Sequence, residues 1–352
     1  MNQRLERLRG ELDGLGAASF LVTRPVNVRY LTGFDSSNAA LVVGRDRFVL
    51  ATDGRYLEAA KALDGVEVVQ SERDLLGWLG AHLGGLAEAP VAFEADHVTV
   101  AGFDSLSRDG TKLVSSSGVV ARLRAVKDEA ELDAIRRAAR VTDAAYERLA
   151  QEELVGRTEA DVAWWMEQTL HEEGAEALAF PVIVGAGPNA ALPHHHPGRR
   201  KIGEGETVIV DAGAQVSGYC ADCTRTFATG PLPDGLRRAY ALCHAAQESA
   251  LSAVRAGATG DELDAIARAK IEESGLAPVL HGLGHGVGLE VHEQPVLRPG
   301  AEEPLVARNV VTVEPGVYLP REGGVRIEDL VVVGETGSEV LSSFTKNLLT
   351  LD

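Results

Sequence analysis

One arrangement of residues occurs twice in the second half of this chain, and it limits the folds open to it. Lys127 to Gln151 has the pattern of a long amphipathic helix; it runs into Gly156-Arg-Thr-Glu-Ala-Asp-Val162, and a second helical stretch continues to Gly174. Ala239 to Arg255 repeats the pattern, running into Gly257-Ala-Thr-Gly-Asp-Glu-Leu263 with a partner helix that continues to Gly275. The turn glycine and the closing glycine are 18 residues apart in both copies, 156 to 174 and 257 to 275. Thr158 and Thr259 suit a helix N-cap, and Gly174 and Gly275 suit the left-handed residue that closes a helix. A strand-like hairpin carrying an acid follows each turn, after 55 residues to Asp211 and 57 to Glu314. The sequence therefore predicts two copies of helix, turn, helix and hairpin, packed about a pseudo-twofold axis.

Both hairpins carry a pair of carboxylates. Thr207 to Val210 and Tyr219 to Phe227 flank a Gly-containing turn near Ser217, the signature of a β-hairpin. Asp211 and Asp222 are equidistant from a turn centred between Val216 and Ser217, which places them opposite each other on one face. At an effective dielectric near 20, two carboxylates about 5 Å apart repel by roughly 3 kcal/mol. A bound cation is the simplest way to offset that cost. In the second hairpin, Val310 to Tyr318 and Gly324 to Val333, Glu314 and Glu328 are equidistant from Arg321 and face each other likewise. The two pairs are expected to converge at the pseudo-twofold axis.

An acid on a strand is more often a solvated surface group. Asp211 and Glu314, however, each follow an apolar run (Val208-Ile-Val210, Val310-Val-Thr-Val313) that belongs in a core, where an unpaired charge is costly. A calcium or purely structural metal site accounts for the acids but not for the His-rich loop that precedes each hairpin. The first loop runs from Val184 to Pro197 and includes His194-His195-His196; the second runs from His281 to Glu293 and includes His285 and His292. Alternate glycines around His285 let the backbone approach something closely, which makes it the best candidate for an imidazole ligand. At least one of His194 to His196 is expected in the site, whereas spacing alone leaves His281 and His292 equally compatible with ordinary packing. Glu293 and Asp329 are read as supporting or solvated groups. Two Asp, two Glu and one His make a mostly oxygen shell that suits Mn²⁺ or Co²⁺. Five such groups are too many for one ion and fit two ions about 3.5–4 Å apart sharing a water of lowered pKa.

The first third of the chain has no such cluster. Residues 1 to about 16 fit an amphipathic helix. Strands at Ser19 to Val22, Ala39 to Val43, Arg47 to Ala51, Val66 to Val69 and Val91 to Glu94 alternate with helices at Tyr56 to Leu63, Leu75 to Leu83 and Gly102 to Ser107, the pattern of an α/β layer domain. A small polar stretch, Ser115-Ser-Ser-Gly118, marks the boundary, which gives domains 1–118 and 119–352. At 352 residues the chain is long enough for both. A formal net charge of −18 argues against a nucleic-acid partner, which needs a clustered basic face. Charges throughout Met1 to Leu12 exclude a signal peptide, and no apolar run reaches the ~18 residues of a membrane helix. Three cysteines are too few for a disulfide framework, so a cytoplasmic protein is expected. Cys220 and Cys223 form C-x-x-C, but on a strand they leave opposite faces, and two packed thiols are expected there.

Asp211, Asp222, His285, Glu314 and Glu328, with GPNAALPH, HGLGHGVGLEVHE, VEPGVY and GGVRIED around them, resemble the metal site of the pita-bread metallopeptidases, in the branch of Xaa-Pro aminopeptidases and Xaa-Pro dipeptidases (prolidases). The likeness covers about residues 121 to 352. Asn27-Val-Arg-Tyr-Leu-Thr-Gly-Phe34 and Thr52-Asp-Gly-Arg-Tyr56 are similar to the small creatinase-type domain of the same enzymes. The resemblance implies a small α/β N-terminal domain followed by an α+β pita-bread catalytic domain with pseudo-twofold repeats. It implies two divalent ions, Mn²⁺ first with Co²⁺ or Zn²⁺ as further candidates. Asp222 and Glu328 would bridge them, Asp211 would complete one, and His285 and Glu314 the other. Glu314 would also shuttle a proton, His194 and His292 would stabilise the tetrahedral intermediate, and His281 and Arg326 would line the substrate pocket. Substrates would be proline-containing peptides and the assembly a homodimer. Prolidases of archaeal type that resemble this chain carry Arg directly after the His-x-x-Pro segment, whereas here Pro295 is followed by Val296 and the next Arg is Arg298. That difference, with the short N-terminal domain, favours removal of an N-terminal residue from longer peptides over cleavage of Xaa-Pro dipeptides, which stays the alternative. A non-catalytic binding module on the same scaffold is the reading from a different class.

Overall fold

The computed structural model describes residues 3–276 and 281–351, and the chain divides into two compact units, Met1–Arg124 and Ala125–Asp352. In the first unit, six strands form one mixed sheet: β1 (Ser19–Val22), β2 (Ala39–Gly44), β3 (Phe48–Thr52), β4 (Glu67–Gln70), β5 (Val91–Glu94) and β6 (Leu113–Ser116), in the order β4-β3-β2-β1-β5-β6. The β1–β2 and β2–β3 pairs are antiparallel and the others parallel. β1, β2 and β5 are buried along their whole length. That is why they read as unbroken apolar runs and not as alternating ones.

Helices α1 (Gln3–Gly10), α2 (Pro25–Thr32), α3 (Leu57–Ala60), α4 (Leu75–Leu86), α5 (Val100–Leu106) and α6 (Val119–Ala125) complete this part of the chain. α1 is shorter than the stretch to residue 16 that its pattern predicts. It stops at Gly10, and Gly14 and Gly16 follow, residues that weaken a helix by about 1 kcal/mol each. α2 holds much of the Asn27-Val-Arg-Tyr-Leu-Thr-Gly motif; Pro25 fits its first turn and Gly33, at φ 74°, closes it in the left-handed region. α6 lies beyond the Ser115–Gly118 stretch yet is tied into the first unit. Tyr30 donates to the Leu123 carbonyl at 3.0 Å and Arg124 to Asn27 Oδ1 at 2.9 Å.

The second unit contains the repeat. Its first copy comprises α7 (Glu129–Leu149), α8 (Glu159–Glu172), β7 (Ala177–Leu178), β8 (Ile183–Ala186), β9 (Thr207–Ala212), β10 (Ala214–Val216), β11 (Tyr219–Cys220) and β12 (Cys223–Ala228). Its second copy comprises α9 (Asp234–Ala253), α10 (Gly260–Glu272), β13 (Gly284–Gly286), β14 (Glu293–Leu297), β15 (Val310–Val313), β16 (Gly316–Leu319), β17 (Gly323–Arg326), β18 (Asp329–Val333) and β19 (Ser338–Val340). Thr158 and Thr259 each form a capping box, with Asp161 and Glu262 as partners. Gly156 and Gly257, at φ 83° and 85°, occupy the same left-handed conformation, and Gly174 and Gly275 at the helix ends are at positive φ too, 111° and 64°. Each copy has its own core: Tyr146, Leu149, Met166, Val208 and Val210 in the first, and Ala239, Ala246, Ile271, Val311 and Val331 in the second. The hairpins meet where Glu328 N–H donates to the Thr224 carbonyl at 3.1 Å and Thr226 Oγ1 donates to the Arg326 carbonyl at 2.8 Å.

The first hairpin departs from the predicted register. Ser217 and Gly218, at φ 53° and 79°, form a two-residue turn of the kind that suits strand twist, so its centre lies one residue later than expected. Asp211 therefore pairs with Thr224 and not with Asp222. Moving the centre by one residue moves the partner by two, which preserves the face, so Asp222 becomes the diagonal neighbour of Asp211. The ladder also breaks between β9 and β10. At Gly213 a Cβ would sit 2.0 Å from the Ala221 carbonyl oxygen, a contact only glycine permits. In the second hairpin, Val313 pairs with Asp329 and Gly316 with Arg326, which brackets Glu314 and Glu328 opposite one another about Arg321, as the spacing predicts.

Candidate metal centre and active site

The site is built at the ends of strands. Asp211 is the fifth residue of β9, Asp222 lies between β11 and β12, His285 is the middle residue of β13, and Glu314 and Glu328 occupy the gaps between β15 and β16 and between β17 and β18. Their donor atoms form three overlapping groups within 4.8 Å: Asp211, Asp222 and Glu328; His285, Glu314 and Glu328; and Asp222, His285 and His292. All five residues expected to hold metal thus meet in one place, and His292 reaches its edge.

Second contacts aim these groups. Glu314 N–H donates to the Leu283 carbonyl at 2.8 Å, and Thr312 Oγ1 accepts from His285 N–H at 3.1 Å and donates to Glu314 Oε1 at 3.3 Å. His285 Nδ1 is 3.1 Å from the Gly286 carbonyl, which assigns the proton to Nδ1 and turns Nε2 toward Glu314 at 3.2 Å and Asp222 at 3.5 Å. A histidine so held presents Nε2 as a ligand. Thr224 donates to Glu328 Oε2 at 2.7 Å. Arg326 is buried. It binds Asp211, takes Thr224 Oγ1 at 3.0 Å and the Pro193 carbonyl at 3.1 Å, and reaches Tyr318 OH at 3.4 Å. Tyr318 in turn meets His281 Nε2 at 2.8 Å.

The electrostatics of the cluster disfavour four charged carboxylates standing together, which a proton or a cation relieves. Burial, and then the charge of Glu328, push the Asp222 carboxyl well above the usual carboxylate range; burial and the charges of Glu314 and Asp211 do the same to Glu328. Burial also raises Asp211, with Arg326 opposing. Burial pushes Glu314 up as well, but the His285 hydrogen bond and positive charge outweigh it and hold this carboxyl below its usual range. Burial lowers His285, and its own hydrogen bond to the Glu314 carboxylate, with that carboxylate's charge, overcomes burial and raises it. Asp211 Oδ1 and Glu328 Oε1 are buried and accept no hydrogen bond within the protein, a state that costs about 1–3 kcal/mol per group and more for a charged one. Two such oxygens on residues of one cluster, with two further carboxylates and an imidazole, fit divalent ions with a preference for oxygen donors.

A cavity of about 510 Å³ opens on these groups. Its walls include Phe180, the whole run Pro193 to Pro197, His281, His292, Val296, Arg298 and Arg326. His292 and His285 stand edge to face with ring centroids 4.2 Å apart; burial and the His285 charge lower the His292 pKa. The structure thus brings His194, His281, His292 and Arg326 to the same cavity as Asp211, Asp222, His285, Glu314 and Glu328. Arg298, which was no site candidate on spacing, lines it too, and among the described residues no carboxylate pairs with it. Glu293 and Asp329 are neither solvated nor in the cavity. Glu293 pairs with buried Lys127 at 2.8 Å, and Asp329 with buried Arg225 at 2.9 Å and Lys346 at 2.8 Å. Thr224 and Tyr318 were legible in principle, since each lies in a strand, two or four residues after an acid of the cluster. Cys220, Cys223 and Cys243 are buried free thiols.

Residues 133–335 match the model of metallopeptidase family M24, and residues 4–126 match the creatinase/prolidase N-terminal domain. The chain belongs to the M24 metallopeptidases. It is a hydrolase of the Xaa-Pro peptidase branch, with the pita-bread fold. Among relatives, the Xaa-Pro dipeptidase of Pyrococcus furiosus is 32% identical over 99% of this chain and 100% of its own length. Among solved structures, the Xaa-Pro dipeptidase of Bacillus anthracis superposes with a TM-score of 0.94 at 34% identity over 99% of each chain. The X-Pro aminopeptidase of Thermotoga maritima superposes at 0.90 with 33% identity, covering 98% of this chain and 99% of the other. M24 relatives this similar thus include enzymes of both names.

Proposed function

We propose that this M24 metallopeptidase hydrolyses the Xaa-Pro bond of dipeptides, with Arg298 receiving the free prolyl carboxylate. The observation that carries this reading is an unpaired guanidinium on the wall of the cavity that contains the carboxylate cluster. A planar donor fork is the natural partner of a carboxylate. The absence of Arg next to Pro295 had favoured an aminopeptidase, and a second arginine reaching the same cavity removes that reason. Removal of Xaa from longer Xaa-Pro peptides is the second reading, favoured by the exposure of Arg298 to solvent, which leaves room for a continuing chain.

Asp211, Asp222, His285, Glu314 and Glu328 would hold two divalent ions, which when bound supply Lewis acidity toward a carbonyl and toward water. Glu314, hydrogen-bonded to His285, is placed to take a proton and return it to the leaving prolyl nitrogen. His194 and His292 face the peptide and donate to the oxygen on which charge develops. Arg326 is committed to Asp211, Thr224 and Pro193, so its part is to hold Asp211 and the His194 loop more than to bind substrate. His281 is held by Tyr318. Mn²⁺ is the first ion to test, and a homodimer and a cytoplasmic location complete the reading. The deciding experiment is steady-state kinetics on Xaa-Pro and Xaa-Pro-Xaa with Mn²⁺, for the wild type and Arg298→Ala. Arg298→Ala is expected to raise KM for the dipeptide by about 10-fold or more, the worth of a hydrogen bond to a charged group, and to leave the tripeptide unchanged. Cleavage of the tripeptide alone by the wild type would leave the aminopeptidase in its place.

A further inference from the structure

The run His194-His195-His196 projects into the cavity from a segment without regular structure, yet it is anchored from beneath by one carboxylate. Glu159, the first residue of α8, is fully buried. Its Oε1 accepts from Ala186 N–H at 3.0 Å and Asn189 Nδ2 at 2.9 Å, and its Oε2 accepts from His195 Nε2 at 2.8 Å and Gly198 N–H at 3.2 Å. Four donors from both ends and the middle of one loop thus converge on a single side chain. The same helix end secures the outgoing chain: Glu159 N–H donates to the Arg200 carbonyl at 3.1 Å and Ala160 N–H to the Gly198 carbonyl at 3.0 Å. A carboxylate in the first turn of a helix is also favoured by the helix dipole. Burial works against the charge on Glu159, and the four hydrogen bonds outweigh it and hold the carboxyl below its usual range.

The second copy solves the same problem from another position. The residue after Thr259 is Gly260, where a Cβ would meet the Val296 carbonyl oxygen at 2.3 Å. The carboxylate comes instead from Asp264, buried one turn further along α10, whose Oδ1 accepts from Leu283 N–H at 3.0 Å between His281 and His285. Each histidine loop is therefore pinned by a buried acid of its own second helix.

We infer that Glu159 is the positioning residue of the His194 loop: by gripping His195 and the loop backbone it leaves the rings of His194 and His196 free at the cavity. Neither ring has a hydrogen-bond partner within the chain among the described residues. This rests on the reading of His194 as a group that faces the reacting peptide. The test uses the full-length Mn²⁺-loaded protein. Glu159→Gln is expected to lower kcat/KM on an Xaa-Pro substrate by roughly 10²-fold, the cost of a misplacement near 1 Å. Metal content and metal affinity should not change, and hydrogen exchange should rise across residues 186–198. In a His194→Ala background the same change is expected to cost less than about 2-fold, because the group it positions is gone. His195→Gln, which keeps an N–H for Glu159, should retain most of the activity that His195→Leu loses, and this pair keeps the test open should Glu159→Gln fold poorly. Unchanged exchange across 186–198, an equal loss in both backgrounds, or equal activity of the two His195 variants overturns the inference. Full activity of His194→Ala overturns the reading of His194 and the inference together, whereas a His194→Ala loss without a Glu159→Gln loss overturns the inference alone.

Discussion

At the scale of single residues, the centre depends on carboxylates that cannot all be charged in each other's company without a cation. Asp222 has the most demanding position, buried beside Glu328 with Asp211 as diagonal neighbour. Asp222→Asn keeps the volume and removes one negative ligand. It is expected to leave the metal-free protein as stable as the wild type or more so, and to lower turnover by at least about 10²-fold. Thermal unfolding after chelation and kcat with added Mn²⁺ check the two halves, and near-normal turnover would remove Asp222 from the centre. Arg298 belongs to this scale too, since its contribution is to choose among substrates and not to enable the chemistry.

At the scale of elements, glycine decides how closely strands approach and so where the imidazole ligand can stand. A Cβ on Gly284 would lie 2.1 Å from the Thr312 carbonyl oxygen. Gly284→Ala is therefore expected to push β13 off β15 and carry His285 away from Thr312 and Glu314. Metal affinity should fall about 10- to 100-fold, as when an outer partner of a ligand is lost, read by equilibrium dialysis; unchanged affinity would show that the strand tolerates the shift. The same argument explains the asymmetry of the two copies. Ile183 pairs with Asp211, and Glu314 N–H donates to the Leu283 carbonyl, so Gly185 is the counterpart of His285. A Cβ at Gly185 would be 3.0 Å from the Asn189 carbonyl oxygen, a contact that leaves the first copy little room for a matching ligand. Its histidines come from the loop beyond, which Glu159 organises.

At the scale of the molecule, folding gathers acids whose pKa values are raised above their unfolded values. Protonated forms of Asp222 and Glu328 are thus favoured by the fold. Their contribution to stability is full below the ordinary carboxylate range and is lost as pH rises through the raised values. Bound cations reverse the trend, because they need the deprotonated ligands. The gap in Tm between Mn²⁺-loaded and chelated protein is expected to widen from pH 5 to pH 8. With Mn²⁺ at 100 times its Kd, binding stabilises by about 2.7 kcal/mol, and at roughly 2–4 °C per kcal/mol the gap should approach 5–10 °C. A gap independent of pH would place the ions elsewhere. No helix among the described residues is long and apolar enough to cross a membrane.

The repeat, the caps at Thr158 and Thr259 and the second hairpin were all legible in the residues, because each follows from spacing and local backbone preference. So was the set of acids, since charge at the end of a buried apolar run has few explanations. The first hairpin's register follows turn chemistry and not symmetry between the two acids: Ser217-Gly218 is the turn pair because glycine enters the left-handed region freely and the β-branched Val216 does not. The entry of Arg298 into the cavity, the burial of Asp329 with Arg225 and the grip of Glu159 on His195 depend on contacts between residues tens of positions apart. Local pattern determined which side chains could do chemistry here; only the packing of the two copies against each other decided which of them meet.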